Sequence, residues 1–423
     1  MEYLLFVAYL IFFAWLVTRT KFFLASGLSK PQLVILFLLK IIAGIFYGWI
    51  GIYYGELAQM SDTWSYHSQG LVEYNILRTH PPEYFSNLFN NPYEHGLKNF
   101  FGSQFSYWND LKSNVFIKFI SIFDIFSGGY YYVNVIFYTY ATFVGPIALF
   151  RVMNNLLPGR RIWVVLGVFF IPSFFYWGSG LHKEGLISMG ISLIMYAIYF
   201  SNKQGRLNLQ RFLLFMGGLL LLLILRNFVL MLIIPAIIAW ILSNRKPVWT
   251  PYIYSGVYVI CILLFFTSRY LIPDLDFPAA VVEKQQSFLR LVGNSSIPFN
   301  VMQPDFGSFI ASTPKAFAMA ATRPYPSDIS HLLSLAAAVE IGILLLLVVI
   351  FLLYRIPKPT ASRTTLYFCF FFSLTMLLAI GFSVNNLGAI ARYRSIVLPL
   401  IMTPLLARTD WNRFVRLFAA LKT

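Results

Sequence analysis

Long apolar runs recur along this chain and constrain its fold more than any other feature. Two examples cover residues 31–54 and 331–354. An α-helix needs about 20 predominantly apolar residues to cross the hydrocarbon core of a bilayer. Hydrophobic residues make up 58% of the 423 residues and charged residues only 11%, whereas charged residues are about a quarter of an ordinary soluble domain. The sequence therefore predicts an all-α, polytopic transmembrane helical bundle that forms a single membrane domain over residues 1–423.

We expect about eleven spans. The run over residues 211–242 is too long for one helix and has Arg226 in its middle, where an unpaired charge is costly, so two short helices joined at Arg226 fit it better. Lys40, inside the second run, is either buried for a functional reason or extends its side chain along the helix toward the membrane surface, and we expect the second. The expected spans cover about residues 3–17, 31–54, 130–150, 162–177, 184–200, 211–242 as a pair, 252–267, 331–354, 364–382 and 396–407.

The net charge of +16 is unevenly distributed. Segments at every second connection carry 18 of the 32 Lys and Arg residues and a single acid, Asp410. Basic residues concentrate in cytoplasmic loops, so this pattern predicts an outer N-terminus and an inner C-terminus. It argues against a nucleic-acid partner and predicts contact with anionic membrane lipid. The basic segments cover residues 19–30, 151–161, 202–211, 244–247, 355–363 and 408–423.

Two long segments, about residues 55–129 and 268–330, fall on the opposite, outer face. This face carries nearly all of the acids and all five histidines, so we expect the catalytic face there. The sequence contains neither a GxxxxGK[ST] phosphate-binding loop nor an HExxH zinc motif. It therefore predicts no metal and no cofactor, and any activated donor would have to be carried by a lipid.

The sequence GSGLHKEG, residues 178–185, joins two of the apolar runs. Ionisable side chains beside hydrocarbon are costly, and they usually serve function or pairing. In one interpretation, His182 or Glu184 is a catalytic base and Lys183 binds substrate. In the other, this stretch is only a capped hairpin in which Lys183 and Glu184 form a local ion pair.

The sequence DTWSYH, residues 62–67, follows the second apolar run and contains a second group of candidate residues. Asp62 lies at the expected membrane boundary, where a carboxylate could act as a general base on a hydroxyl group. His67 would then help to place a phosphate or a sugar. The alternative is that Asp62 only caps the N-terminus of a helix.

Five arginines from distant parts of the chain are expected on the same outer face. Guanidinium groups bind phosphate oxygens bidentately and stay charged. A convergent cluster beside the membrane would therefore suit a lipid-linked pyrophosphate and would stabilise it as a leaving group. These arginines are Arg226, Arg290, Arg323, Arg392 and Arg394.

These motifs resemble those of one group of bacterial inner-membrane proteins, the O-antigen polymerases (Wzy-like) and GT-C-type glycosyltransferases. WGSGLHKEG resembles their W-x-S-G-x-x-K-E turn, and DTWSYH is similar to their D-S/T-x-x-Y-H element. LRN at 225–227 resembles their L-R-P/N element. ATRPYP at 321–326 with Glu340, and ARYR at 391–394 with Pro399, resemble their F/T-R-P-F/Y and A-R-Y-R-x-P segments.

The resemblance implies a membrane glycosyltransferase that acts on polyprenyl-linked glycans at the periplasmic face of the bacterial inner membrane. Because Asp62 follows the second expected span rather than the first, the order of elements favours a polymerase of polysaccharide repeat units. Its partners would include proteins of polysaccharide export or chain-length control. The alternatives are a GT-C enzyme that adds one sugar from a polyprenyl-phosphate donor, a transporter of lipid-linked glycans, and a non-catalytic export partner.

Overall fold

The all-α fold is confirmed. A computed structural model of the protein describes residues 1–54, 62–93, 100, 106–291, 295–298, 301–356 and 362–420. In these ranges the chain is helical apart from its connections and two isolated β-bridges, which join Ser296 to Asn386 and Arg355 to Thr409. Residues 55–61, at the start of the first long outer segment, lie outside the described ranges.

The α-helices of the described chain are numbered in order. They are α1 (Glu2–Val17), α2 (Lys21–Leu24), α3 (Lys30–Tyr53), α4 (Asp62–Thr79), α5 (Pro81–Ser86), α6 (Tyr107–Ser127), α7 (Tyr131–Leu156), α8 (Arg161–Phe169), α9 (Pro172–Trp177), α10 (Lys183–Gln204), α11 (Leu209–Leu225), α12 (Asn227–Arg245), α13 (Thr250–Leu271), α14 (Phe277–Leu289), α15 (Phe306–Thr322), α16 (Leu332–Tyr354), α17 (Arg363–Ser383), α18 (Leu387–Ser395), α19 (Leu398–Ala407) and α20 (Trp411–Ala420).

Seven of these helices are long and apolar enough to cross a bilayer: α3, α7, α10, α12, α13 with the turn before it, α16 and α17. Helices α18 and α19 would form an eighth span if counted together, although they are bent by 58°. Helices α1 and α11 are apolar but shorter, with 16 and 17 residues. The described chain is therefore a helical membrane protein with seven candidate spans.

Two breaks in the apolar runs have local causes. The expected span over residues 162–177 is divided into α8 and α9 because Ile171, which precedes Pro172, has the extended geometry that proline favours in the residue before it. The run over 211–242 forms two helices, as predicted. They meet at Arg226, whose φ of −153° and ψ of 76° are not helical.

Helix α10 lies in the interior of the bundle, packed against α7 on one side and α11 on the other. Small residues allow these helices to approach closely, as is usual in membranes. Gly190 of α10 faces Gly218 of α11, and Gly145 of α7 faces Met189 of α10. This packing fixes the start of α10, which carries Lys183 and Glu184.

The two long outer segments are largely helical in their described parts. In the first segment, α4 packs along α6, and α6 also contacts α7 and α11. In the second, α14 and α15 both pack against α17. The side chains of these segments are therefore presented by helices, which hold them more rigidly than loops would.

Candidate functional site

The turn between α9 and α10 is anchored by buried side chains from two other helices. The Lys40 ammonium of α3 donates a hydrogen bond to the carbonyl oxygen of Gly178 and lies 3.4 Å from Ser179 Oγ. The Tyr138 hydroxyl of α7 donates to the carbonyl oxygen of His182. Lys40 is 5% exposed, so the prediction that it extends to the membrane surface is wrong. It instead positions the turn that carries His182 and Glu184.

Close backbone packing also holds this turn. Gly180 lies directly against the ring of Tyr47, and Gly185 against the hydroxyl of Tyr138, so a Cβ atom at either position would clash. Gly180 and Gly185 are therefore required by the contacts of the turn with α3 and α7.

His182 connects two carboxylates. Its Nδ1 atom contacts Glu184 Oε2, and its Nε2 atom lies 3.4 Å from Asp62 Oδ2. Glu184 and His182 are 1% and 2% exposed, whereas the side chain of Asp62 is 45% exposed. The three residues form a series of polar contacts that runs from the protein interior to an open carboxylate.

Two arginines complete this cluster. Arg226 Nη2 donates to Glu184 Oε1 at 2.6 Å, and Arg392 Nε lies 3.6 Å from the same oxygen. Arg392 Nη1 also donates to Asp62 Oδ2 at 3.1 Å and lies 3.3 Å from His182 Nε2. We call Asp62, His182, Glu184, Arg226 and Arg392 the carboxylate cluster. Its two acids and two arginines balance in charge.

Aromatic rings enclose the imidazole of His182. The rings of Tyr66, Tyr47 and Trp177 have centroids 5.8, 6.2 and 6.4 Å from that of His182. The Arg392 guanidinium lies 5.8 Å from the Trp177 ring centroid. Because these rings reduce the access of water, the charge interactions inside the cluster are stronger than they would be in solvent.

Asp62 remains ionised because of its neighbours. Partial burial alone would raise its pKa, but the hydrogen bond with His182 and the positive charge of Arg392 outweigh burial and lower the pKa of Asp62 to about 2. Asp62 is the first residue of α4, and its side chain is directed to His182 and Arg392. The alternative that Asp62 only caps a helix does not account for these contacts.

Lys183 does not form the local ion pair with Glu184 that the hairpin interpretation requires. Its Nζ atom donates to Ser113 Oγ of α6 at 3.1 Å and lies 5.0 Å from the ring centroid of Tyr66. Glu184 is bound by His182 and the two arginines instead. Lys183 therefore lies beside the carboxylate cluster and joins α10 to α6.

Four other residues expected at the site are placed elsewhere: His67, Arg290, Arg323 and Arg394. His67 is buried against Asn134 of α7, with 3.5 Å between its Nδ1 and the amide nitrogen. Arg290 is exposed at the end of α14. Arg323 pairs with Asp328 at 3.5 Å. Of the five arginines expected to converge, the structure therefore brings Arg226 and Arg392 together.

Arg394 is buried and holds two helices together through hydrogen bonds to backbone carbonyl oxygens. It is 2% exposed and donates to the carbonyl oxygens of Ala320 and Arg323, at 2.9 and 2.7 Å. These bonds join α18 to the end of α15. Glu340, another residue of the motifs, accepts a hydrogen bond from the Ser173 backbone at 2.8 Å and thus satisfies a free N–H at the start of α9.

Three further residues are not among the site residues that the sequence predicted. The Tyr393 hydroxyl accepts a hydrogen bond from Arg392 Nη2 at 3.2 Å, and its ring centroid lies 4.1 Å from the Arg226 guanidinium. Its position between two arginines in ARYR was a signal that could have identified it. Lys112 and Lys284, whose pKa values are lowered by burial and also by repulsion from Arg226, belong to no motif, and nothing in the sequence marks them.

No protein-family model, curated protein or solved structure matches this chain. In the described part of the chain, no group of three or more His, Cys, Asp and Glu side chains is arranged to hold a metal ion. The chemistry available from the side chains present is proton transfer at Asp62 and His182, together with stabilisation of negative charge by the neighbouring cations.

Proposed function

We propose that the protein is a glycosyltransferase of the bacterial inner membrane that acts on polyprenyl-linked glycans, as a polymerase of polysaccharide repeat units. The observation that carries this proposal is the contact series from Glu184 through His182 to Asp62. A buried acid contacts an imidazole, the imidazole contacts a carboxylate whose side chain is 45% exposed, and the series begins at the end of a candidate membrane helix.

In this proposal Asp62 is the catalytic base. The proton of the acceptor hydroxyl passes to a carboxylate oxygen of Asp62 while the hydroxyl oxygen bonds to the anomeric carbon of the donor sugar. The bond between that carbon and the donor phosphate breaks, and its electron pair stays on the phosphate. His182 stabilises Asp62 through the contact of its Nε2 atom with the carboxylate, and Glu184 fixes the orientation of His182. Cations beside the cluster stabilise the leaving phosphate.

The membrane arrangement belongs to the same proposal. About eleven spans, with the N-terminus outside and the C-terminus inside, would place the carboxylate cluster at the periplasmic face. The substrate would reach the cluster from the membrane, and proteins of chain-length control or export would be partners. The short apolar helices α1 and α11, the bent pair α18 and α19, and the divided run of α8 and α9 would supply the four spans beyond the seven candidates.

The length profile of the surface glycan tests the function. We would compare cells with the intact gene, a deletion, Asp62→Asn and Glu184→Gln at matched protein levels. We expect the ladder to collapse to single repeat units in the deletion and in both variants, because neither variant has the complete contact series. Glu83→Gln is the matched control, since Glu83 is an exposed carboxylate at the start of α5 and should leave the ladder intact.

Other outcomes would contradict the polymerase. A ladder that persists with a uniform small mass shift would mean addition of one sugar by a GT-C-type enzyme. Accumulation of completed lipid-linked units on the cytoplasmic side would mean a transporter. If the deletion collapses the ladder but both variants keep it, the protein is a non-catalytic partner of the polymerase.

A further inference from the structure

The first turn of α4 is attached to two neighbouring helices directly after Asp62. The indole Nε1 atom of Trp64 donates a hydrogen bond to the carbonyl oxygen of Gly48 in α3, at 2.8 Å. The Thr63 hydroxyl lies 2.7 Å from the Tyr131 hydroxyl of α7. The rings of Trp64 and Tyr131 are stacked, with 3.9 Å between their centroids and 21° between their planes. The two residues that follow Asp62 are therefore fixed to two candidate membrane helices.

These attachments are closely fitted. Thr63 and Tyr131 are both buried, so removal of one hydroxyl would leave the other without a partner. The ring of Tyr131 also lies directly against Gly48, where a Cβ atom would clash. We call Thr63, Trp64 and Tyr131 the α4 clamp, because together they hold the first turn of α4 against α3 and α7.

Helix α3 also supports the turn that carries His182. Gly44 lies so close to the carbonyl oxygen of Ser179, in that turn, that a Cβ atom would clash with it. Gly48, one helical turn further along α3, accepts the hydrogen bond from Trp64. Helix α3 is therefore the common support of the turn and of the start of α4, and it fixes the distance between them.

The contacts of Asp62 need such support. Its Oδ2 atom lies 3.4 Å from His182 Nε2 and 3.1 Å from Arg392 Nη1, and its side chain is 45% exposed. Water competes for the contacts of an exposed carboxylate. The backbone that carries Asp62 must therefore be held by groups other than its own side chain.

We propose that the α4 clamp positions the carboxylate of Asp62 against His182 and Arg392. Its members are positioning residues that act on the reaction through Asp62. The inference rests on the proposed function only in taking Asp62 as the catalytic base. It assigns a role to the second and third residues of DTWSYH, which the contact series itself does not include.

Labelling of Asp62 by a carbodiimide tests the clamp in the purified full-length protein without any need for glycan transfer. A carbodiimide reacts with a protonated carboxyl group. Burial raises the pKa of Asp62, but His182 and Arg392 outweigh it and lower the pKa from 3.8 to about 2. At pH 4 a carboxyl with the ordinary pKa is protonated in about two fifths of the molecules, against about one hundredth at a pKa of about 2. Labelling measured by mass spectrometry should therefore rise at least about fivefold in Tyr131→Phe and in Trp64→Phe.

Matched variants control this measurement. Tyr132, the next tyrosine, is partly exposed and lies outside the clamp, so Tyr132→Phe should leave the labelling unchanged. Thr63→Ser keeps the hydroxyl and should be labelled like the wild type, whereas Thr63→Val should be labelled like Tyr131→Phe. Glu83 is an exposed carboxylate at the start of α5 and serves as the internal reference for the reactivity of the reagent.

Glycan transfer gives a second measurement. Tyr131→Phe and Trp64→Phe should lower kcat about ten- to a hundredfold, the effect of displacing a catalytic group by about 1 Å. KM should stay nearly unchanged, because the clamp acts through Asp62. A lower melting temperature with normal kcat and normal labelling of Asp62 would mean that the clamp only stabilises the fold, and would overturn the inference.

The results separate this inference from the proposed function. Increased labelling of Asp62 in both clamp variants, in a protein that transfers no sugar, would keep the clamp and refute the transferase. Transfer that needs Asp62 but is normal in Tyr131→Phe and Trp64→Phe would refute the clamp. Reduced transfer with unchanged labelling of Asp62 would also refute it.

Discussion

Glu184 and Asp124 are both buried carboxylates, but their surroundings differ. Glu184 is 1% exposed, contacts His182 and lies 2.6 Å from Arg226 and 3.6 Å from Arg392. Asp124 of α6 is fully buried, and its Oδ1 atom accepts a hydrogen bond from Asn134 at 2.6 Å. Its Oδ2 atom has no hydrogen-bond partner in the described structure.

The difference indicates which carboxylate carries a charge. A buried carboxylate stays ionised only when cations and hydrogen bonds replace the water that it lost. Glu184 has two arginines for this purpose. For Asp124, burial raises the pKa to about 6 although the Asn134 hydrogen bond opposes it. The nearby His67 supplies no charge, because burial lowers its pKa to about 4.

Removing the charge of Glu184 should have the largest effect. Glu184→Gln leaves Arg226 and Arg392 without their shared partner, and breaking a buried ion pair in this way costs about 3–5 kcal/mol. We expect a lower melting temperature in detergent and no glycan transfer. An unchanged melting temperature would mean that the arginines are compensated by other groups, and the contrast with Asp124 would fail.

Asp62→Asn should abolish function without affecting the fold. Asparagine keeps the shape but accepts no proton, so we expect the transfer rate to fall about 10²- to 10⁴-fold. Because the side chain of Asp62 is 45% exposed, loss of its charge should lower the melting temperature less than Glu184→Gln does. Normal transfer by this variant would exclude Asp62 as the base and would favour His182 or Glu184.

Lys40→Met tests whether the turn must be anchored for the carboxylate cluster to work. The variant removes the donor to Gly178 and should let the turn shift, and a displacement of about 1 Å can reduce a reaction rate by up to about a hundredfold. Loss of a buried charge offsets the lost hydrogen bond, so we expect little change in melting temperature. Lys30→Met, an exposed position at the start of α3, is the control, and a loss of transfer as large as that of Lys40→Met would contradict this interpretation.

The smallest effect is expected at Asp124. Its pKa is about 6 in the folded protein and its ordinary value is 3.8, so the folded state binds more protons between these values. Wild-type stability should therefore fall as the pH rises through this interval. Asp124→Asn does not lose stability in this way. The melting temperature of the variant minus that of the wild type should therefore increase as the pH rises from 4.5 to 7.5. A relative gain by the wild type would mean that Asp124 has a cationic partner.

Much of the fold could be predicted from the sequence because hydropathy is a local property. The long apolar runs identified most of the helices. The charge of Arg226 in the middle of the run over residues 211–242 correctly predicted that this run forms two helices. The same approach failed at residues 162–177, where the geometry imposed ahead of Pro172 divides the run into two helices. It also failed for Lys40, whose hydrogen-bond partner lies 138 residues away.

The sequence by itself determined that this is an all-helical membrane protein, and it singled out Asp62, His182 and Glu184 as ionisable residues at the ends of apolar runs. Only the tertiary structure decided which charges meet. Asp62 contacts His182 and Arg392 across separations of 120 and 330 residues, while His67, Arg290, Arg323 and Arg394 lie elsewhere. Charge pairing depends on distances of a few ångströms between side chains, and these distances are set by helix packing, which no local pattern of residues encodes.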